Sequence, residues 1–379
     1  MSTPLIKRND DIVSLGQLKL LFELPNFPAF MGTTTQERDK DILAPMRWYI
    51  SPDSGMIQLN PVLPLEVVYQ TEHNPGTTGA SWAKHHQDFA RFIAQYGAES
   101  VYEIGAAHGI LNIEYNKITD VKPRWHVLDP NPIPDPASTA TFETGFFDRN
   151  TDIPADVDLI VHSHVLEHFY DPEEFFATLT LSIRERTKMC FSVPNLKRHL
   201  ENPGKFTNIL NFEHTYYCSE DYIEYWLSKY GFTVLAKDYF EDDHSIFYAV
   251  EKSDFTSNWP LEKHYYKQNQ ALALDYFDYH KTLVQELHEK IGVDRAFLFG
   301  AHVFSQFLLA FGLDESKIRC ILDNSPHKQG QRLYGTGLEV KSPELLRGII
   351  NPRIILRSGV FDAEIKAGIL AINPTAVFL

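Results

Sequence analysis

Short apolar runs alternate with segments of helical period through the middle of the chain. Residues 101–104, 125–128, 157–161 and 189–193 are runs of strand-forming residues, and the segments between them carry apolar residues at helical spacing. That rhythm predicts an α/β fold with a central doubly wound parallel sheet. Residues 232–236 and 245–250, separated by the charged turn 241–244, read as a closing pair of strands. Upstream, residues 15–68 are rich in Pro, Phe and turn signals such as Pro52-Asp-Ser-Gly55, which predicts a small, irregular, partly stranded unit. A polar link over 71–79 leads to an amphipathic helix capped by Ser81, with Trp82, Phe89, Phe92 and Ile93 on its apolar face. Downstream come a linker, a long amphipathic helix to about Lys290, and a second α/β unit with strands at 296–301, 319–323 and 353–356. The expected organisation is therefore three units, over 1–70, 71–252 and 253–379.

Composition narrows the function classes. With 379 residues and 44% apolar residues the chain can bury a large core. The opening MSTPLIKRNDD is charged where a secretion signal needs apolar residues, and no apolar run reaches membrane-spanning length, so a cytoplasmic location is expected. A formal net charge of −15 argues against a nucleic-acid or anionic-membrane footprint and leaves a small molecule as the expected partner. The three cysteines, Cys190, Cys218 and Cys320, are too widely spaced for a thiolate zinc site.

The strongest chemical signal is Val101-Tyr-Glu-Ile-Gly-Ala-Ala-His-Gly109. An apolar strand ends at Glu103-Ile104, and Gly105 and Gly109 bracket a turn into a helix, with Ala106 and Ala107 between them. Glycine lets the backbone bend sharply and approach a ligand closely. A dinucleotide site would place glycines at 105, 107 and 110, whereas 107 is Ala and 110 is Ile, so a ligand without pyrophosphate fits better. S-adenosyl-L-methionine is the commonest such ligand on this architecture. The next strand ends at Asp129, placed to accept both ribose hydroxyls, and Phe147 with Asp148 precedes the third strand, where an aromatic ring and a carboxylate could flank an adenine.

Two histidine clusters follow. His162-Ser-His164-Val-Leu-Glu167-His168 lies after the third strand, at the sheet edge where ligands collect. His164 and His168 share a helix face only if a helix has begun at 164, and no third ligand has a metal-site spacing, so no metal is expected. The second cluster, Asn211-Phe-Glu213-His214-Thr-Tyr216-Tyr217-Cys-Ser219, precedes a helix. Glu213 and His214 form an acid-base candidate pair, because imidazole exchanges a proton near neutral pH and a carboxylate can orient it. A polar loop with Ser219 as N-cap and Tyr217 packed is the alternative.

Taken in order, Glu103-Ile-Gly, His164-Val-Leu-Glu-His168, Glu213-His-x-x-Tyr-x-Ser219, Phe299-Gly-Ala301 and Asp323-Asn-Ser-Pro-His-Lys-Gln-Gly330 resemble the three-part sugar C-methyltransferases. That resemblance implies a central Rossmann-like class I methyltransferase domain and a C-terminal α/β domain framing a substrate cleft. It also implies S-adenosyl-L-methionine as methyl donor and a sugar or sugar-nucleotide substrate methylated at carbon α to a ketone. By the same resemblance His214 is the base, Glu213 its acidic neighbour and His168 part of the same pocket. His164 falls on the cofactor side, and Asn211, Tyr217 and His85 on the substrate side. The chain departs from the family in three places. The zinc-binding cysteines of the N-terminal unit are missing, Asn211-Phe212 replaces Tyr-His, and His73 stands where a tyrosine is expected. Loss of that tyrosine leaves sugar O-methylation open. Gly300-Ala301 and Asp323 imitate a second nucleotide site without its full glycine fingerprint, and Lys328 and Arg332 read as a solvated loop face. An NAD-dependent oxidoreductase and a non-catalytic cofactor-binding scaffold are the readings from other classes. No feature of the sequence sets an oligomeric state.

Overall fold

The computed structural model describes residues 5–69, 80–205, 211–253, 256 and 265–379. The link at 71–79, with His73, lies outside them. At the centre is a seven-stranded sheet. Its order is Phe232–Phe240, Ser245–Lys252, Lys188–Pro194, Leu159–Ser163, Ser100–Ile104, Arg124–Asp129, Thr141–Thr144. The last five are mutually parallel, and the first two form the expected antiparallel closing pair.

Why the middle strands are continuous apolar runs follows from their cover. Helices Ala80–Ala94 and Ile110–Ile118 pack Phe89, Ile93, Leu111 and Tyr115 against Val101, Val127 and Val161 on one face. Helices Pro172–Ser182 and Glu220–Lys229 pack Phe175, Phe176, Ile223 and Trp226 against the other face, where Tyr102, Ile104 and Ile160 point. A strand buried on both sides carries no polar alternation. The first strand is Ser100–Ile104. The chain runs to one side through Arg124–Asp129 and Thr141–Thr144, then crosses back to Leu159–Ser163, so strand order reverses beside Ile104. A crevice at the carboxyl ends of the strands opens there.

Residues 19–59 form a three-stranded antiparallel sheet, Lys19–Pro28, Leu43–Ile50 and Ile57–Leu59. Its middle strand alternates buried and less buried residues, as a sheet with one covered face requires. Its buried side chains, among them Phe27, Trp48 and Leu59, belong to the same apolar cluster as Tyr102, Phe175 and Trp226. The loop carrying His214 docks on its edge: Leu59 N donates to Thr215 O at 2.9 Å and Tyr217 N to Ile57 O at 2.8 Å. Sequence reading predicted an irregular unit here and gave no sign of this docking.

Beyond the 27-residue helix Tyr265–Ile291 lies a five-stranded parallel sheet, with the strand Ala296–Phe299 at its centre. It is tied back to the N-terminal sheet by a bidentate Arg332–Asp41 ion pair at 2.6 and 2.7 Å, by Gln306 Nε2 donating to Phe30 O, and by stacking of Phe22 on Phe277. Arg332 is therefore a clamp and not a solvated loop residue. Three further local expectations change. Ser81 lies inside the helix Ala80–Ala94 and is not its cap. Ser219 occupies the N-cap position of Glu220–Lys229 without making a side-chain cap bond. Residues Leu166–His168 form a 3-10 turn, so His164 and His168 do not share an α-helical face. No helix of the described residues is long and apolar enough to cross a membrane.

Candidate active site

A cavity of about 400 Å³ occupies the crevice. One end is built by the first strand and its turn. Gly105 has φ +73°, and a Cβ on it would lie 2.6 Å from Val165 Cγ2; its N–H donates to Leu128 O at 2.8 Å. Gly109 has φ +66° and precedes the helix Ile110–Ile118, and its Cβ would meet Ser138 Oγ and Phe142 Cζ at 2.7 and 2.8 Å. Both positions therefore need glycine for backbone conformation and for space. Glu103, Gly105, Ala106, Ala107 and Asp129 all line the cavity. Trp125 Nε1 donates to Glu103 Oε2 at 2.7 Å, and burial pushes the Glu103 carboxyl up to about 8. Asp129 Oδ1 accepts from Asn131 N at 2.8 Å, and burial raises its pKa as well.

At the other end, the loop on the N-terminal sheet edge meets the 3-10 turn. Asn211 Oδ1 accepts from the backbone N–H of Glu213 and of His214, at 2.7 and 3.1 Å, which fixes the loop as an Asx-type turn. The rings of His214 and His168 lie perpendicular, 5.0 Å apart. His168 Nδ1 shares a hydrogen bond of 2.6 Å with the Tyr69 hydroxyl. Burial pushes the carboxyls of Glu167 and Glu213 up to about 8 each. A third wall holds Trp82, His86, His164, His199 and His244. His164 has φ +53° and Nε2 3.0 Å from Ser245 Oγ. Burial, followed by neighbouring imidazoles, pushes its pKa well down, and burial pushes His244 down to about 4, so this wall is uncharged at neutral pH.

Of the residues chosen from sequence, Glu103, Gly105, Ala106, Ala107, Asp129, Phe147, His164, His168, Asn211, Glu213 and His214 are brought together around one cavity. Gly109 shapes the turn from behind. Phe147 lines the cavity with its ring packed on Phe169 and Phe175. Three residues fall elsewhere. Asp148 is exposed, and its carboxylate accepts from Asn150 N to close a surface turn. Tyr217 is buried in the core against Tyr222, as the packed-loop alternative had it. His85 is buried behind the wall with Nε2 2.9 Å from Ser192 Oγ, while its neighbour His86 faces the cavity. His162 is likewise structural, stacked on Phe191. Sequence reasoning missed Tyr69, Trp82, His86, His199, His244 and His302 as lining residues. Only the density of histidines could have flagged the last four, and Tyr69 carries no local signal at all.

In the C-terminal unit, Ala301 N donates to Asp323 Oδ2 at 2.8 Å, and Lys328 Nζ lies 3.5 Å from the same oxygen. The groups that a second nucleotide would need are thus engaged with each other. His302 and Val303, at the start of the following helix, instead reach the cavity described above.

The chemistry of the lining fits a sulfonium donor. Glu103, Asp129, Glu167 and Glu213 contribute four carboxyls, and no Lys or Arg lies among the described lining residues. A buried carboxyl without a cation keeps its proton; a cationic ligand reverses that preference.

Comparison with known proteins agrees over the central segment. Residues 81–237 match a family model described as a methyltransferase domain. No curated protein sequence matches the chain. Similar solved structures include magnesium protoporphyrin IX methyltransferase from Synechocystis PCC 6803 with bound S-adenosylhomocysteine. It is 15% identical, with a TM-score of 0.35 over 46% of this chain and 85% of that one. Another is the N-methyltransferase NodS from Bradyrhizobium japonicum WM9 in complex with S-adenosyl-L-homocysteine, 13% identical, with a TM-score of 0.33 over 48% and 91%. Residues 81–237 thus match a methyltransferase domain and contain the glycine turn described above, which fits S-adenosyl-L-methionine as methyl donor.

Proposed function

We propose that the chain methylates a sugar or sugar nucleotide at carbon α to a ketone, with His214 as general base and Glu213 as its partner. The three units 1–70, 71–252 and 253–379 would all contribute walls to the site. In this reading the turn from Gly105 to Gly109 and Asp129 hold the donor. The observation that carries it is the gathering of His214, His168, Tyr69 and Glu213 in the same cavity as that turn.

S-adenosyl-L-methionine supplies an electrophilic methyl group when bound, so the protein has to align the acceptor, exclude water and remove one proton. In this reading His214 takes that proton. Tyr69, hydrogen-bonded to His168, places a phenol in the cavity that can donate to the oxygen of a developing enolate. Its pKa is pushed well up by burial, so it stays protonated as a donor. Tyr69 thereby answers the tyrosine missing at 73. Because no Lys or Arg is found among the described lining residues, the sugar ring enters and a nucleotide's phosphates remain outside this cavity.

The test is solvent-deuterium exchange at the α carbon of nucleotide-linked ketosugars, with S-adenosylhomocysteine bound. Exchange by the wild type, reduced at least about 100-fold in His214→Ala, is expected of a general base. Undiminished exchange in the variant would remove His214 from the role. A product from [13C]methyl donor that carries the label on oxygen would replace C-methylation by O-methylation.

A further inference from the structure

Glu167 stands out among the buried carboxyls of the cavity. It is completely buried, and among the described residues no other residue donates a hydrogen bond to either carboxylate oxygen. Two imidazole nitrogens approach it, His164 Nδ1 at 3.5 Å and His168 Nε2 at 4.0 Å from Oε1, without forming a hydrogen bond. Leaving a buried charged or polar group in that condition costs free energy, so it calls for an explanation. One ligating atom each from Glu167, His168 and His214 lie within 4.8 Å of one another. Two imidazoles and one carboxylate, with the remaining directions open to a cavity, are a donor set suited to a divalent first-row transition cation, and not to Mg2+ or Ca2+, which prefer oxygen.

We propose that Glu167, His168 and His214 form a binding site for a divalent transition cation of the zinc or cobalt class. Bonds of about 2.0–2.2 Å to such an ion bring ligand atoms to about 3.0–3.5 Å from each other, which needs closure by up to about 1.5 Å from the present spacing. Small side-chain adjustments on filling would have to supply it. Tyr69 holds His168 Nδ1, as a hydrogen-bond partner commonly holds the second nitrogen of a ligating histidine, and Nε2 lies 4.0 Å from Glu167 Oε1. Asn211 fixes the backbone of His214. The ligands thus come from two anchored elements.

The inference goes beyond the base assignment and constrains it. An imidazole that holds a cation has no lone pair left for a substrate proton. Filling of the site therefore inhibits α-proton removal by His214, or hands activation of the acceptor oxygen to the cation.

The experiment uses the full-length protein after chelator treatment. Zn2+ is titrated calorimetrically and Co2+ by its visible d–d absorption, with circular dichroism and S-adenosylhomocysteine binding as controls for folding. One equivalent of cation per chain is expected, with a Co2+ spectrum of four- or five-coordinate type. Affinity should fall in Glu167→Gln and in His168→Gln by more than the roughly 10- to 100-fold that outer-shell changes cost. Glu213→Gln should retain the cation. Absence of saturable binding, or binding equally tight in Glu167→Gln and His168→Gln, overturns the site. If deuterium exchange proceeds while no cation binds, only this inference fails; if the cation binds but His214→Ala still exchanges, only the base assignment fails.

Discussion

At the scale of single residues, what stands out is how little freedom the donor end allows. Gly105→Ala would place a methyl group against Val165 and hold an L residue at φ +73°. The backbone term alone is about 1–2 kcal/mol. Gly105 and Val165 both line the cavity, so relief of the clash should reshape it, and the variant should lose S-adenosylhomocysteine binding by calorimetry while keeping its far-ultraviolet dichroism. Asp129 offers a second handle. A hydrogen bond to a charged group is worth about 1.5–3 kcal/mol, so Asp129→Ala should weaken S-adenosylhomocysteine roughly 10- to 100-fold. An unchanged Kd would remove Asp129 from the ribose. Both positions were legible from sequence because a local chain pattern creates them. Tyr69 and His86 were not. Tyr69 reaches His168 across 99 positions, and the difference between His85 and His86 is a rotation about a helix axis that no neighbouring residue encodes.

Elements show the same division. The strands Ser100–Ile104, Leu159–Ser163 and Lys188–Pro194 could be read because burial on both faces leaves an unbroken apolar run. Their ends differed by a residue or two, as at Ser163, where a polar residue still pairs with Ser192. The 211–219 loop could not be read. Its position depends on pairing with Ile57–Leu59, more than 150 residues away, and such pairing leaves no periodicity. Removing the acceptor in Asn211→Ala strips two N–H groups of their partner. Stability should fall by about 1–3 kcal/mol in denaturant titration. Deuterium exchange should fall with it, since His214 loses its backbone restraint. Donor affinity, which the proposed reading sets at the opposite end of the cavity, serves as the internal reference.

For the whole molecule, the buried titratable groups set a pH profile for stability. Burial holds the imidazoles of His85, His162, His164, His199 and His244 below their ordinary range. Each is protonated in the unfolded chain below about pH 6.5 but neutral when folded, so stability rises with pH up to that point and these groups contribute no slope above it. Glu103, Glu167 and Glu213 behave oppositely. Their folded pKa values near 8 exceed the unfolded value, so the folded protein keeps protons that the unfolded chain has released. Stability falls from about pH 4.5 until the pH passes 8, by up to about 1.4 kcal/mol per pH unit for each carboxyl. His86 and His280 are lowered and Asp129 and Asp362 raised in the same senses, so imidazoles outnumber the opposing carboxyls, and the ligand-free protein in chelator should be most stable near pH 6.5 and lose stability toward pH 8. Glu167→Gln should flatten the alkaline limb, and a thermal-melting series across pH 5–8.5 measures both limbs.

The acidic lining, without Lys or Arg among the described residues, also bears on turnover. A sulfonium ligand arriving at neutral pH meets carboxyls that still hold protons, so binding of the donor should expel protons into the medium, whereas its uncharged thioether product should not. Calorimetry in buffers of different ionisation enthalpy would count them. The same asymmetry makes the spent donor a weaker ligand than the fresh one, increasingly so as the pH rises. A lining that gains negative charge as the pH rises should release the uncharged product more readily than the donor, and feedback inhibition by S-adenosylhomocysteine should fade on the alkaline side.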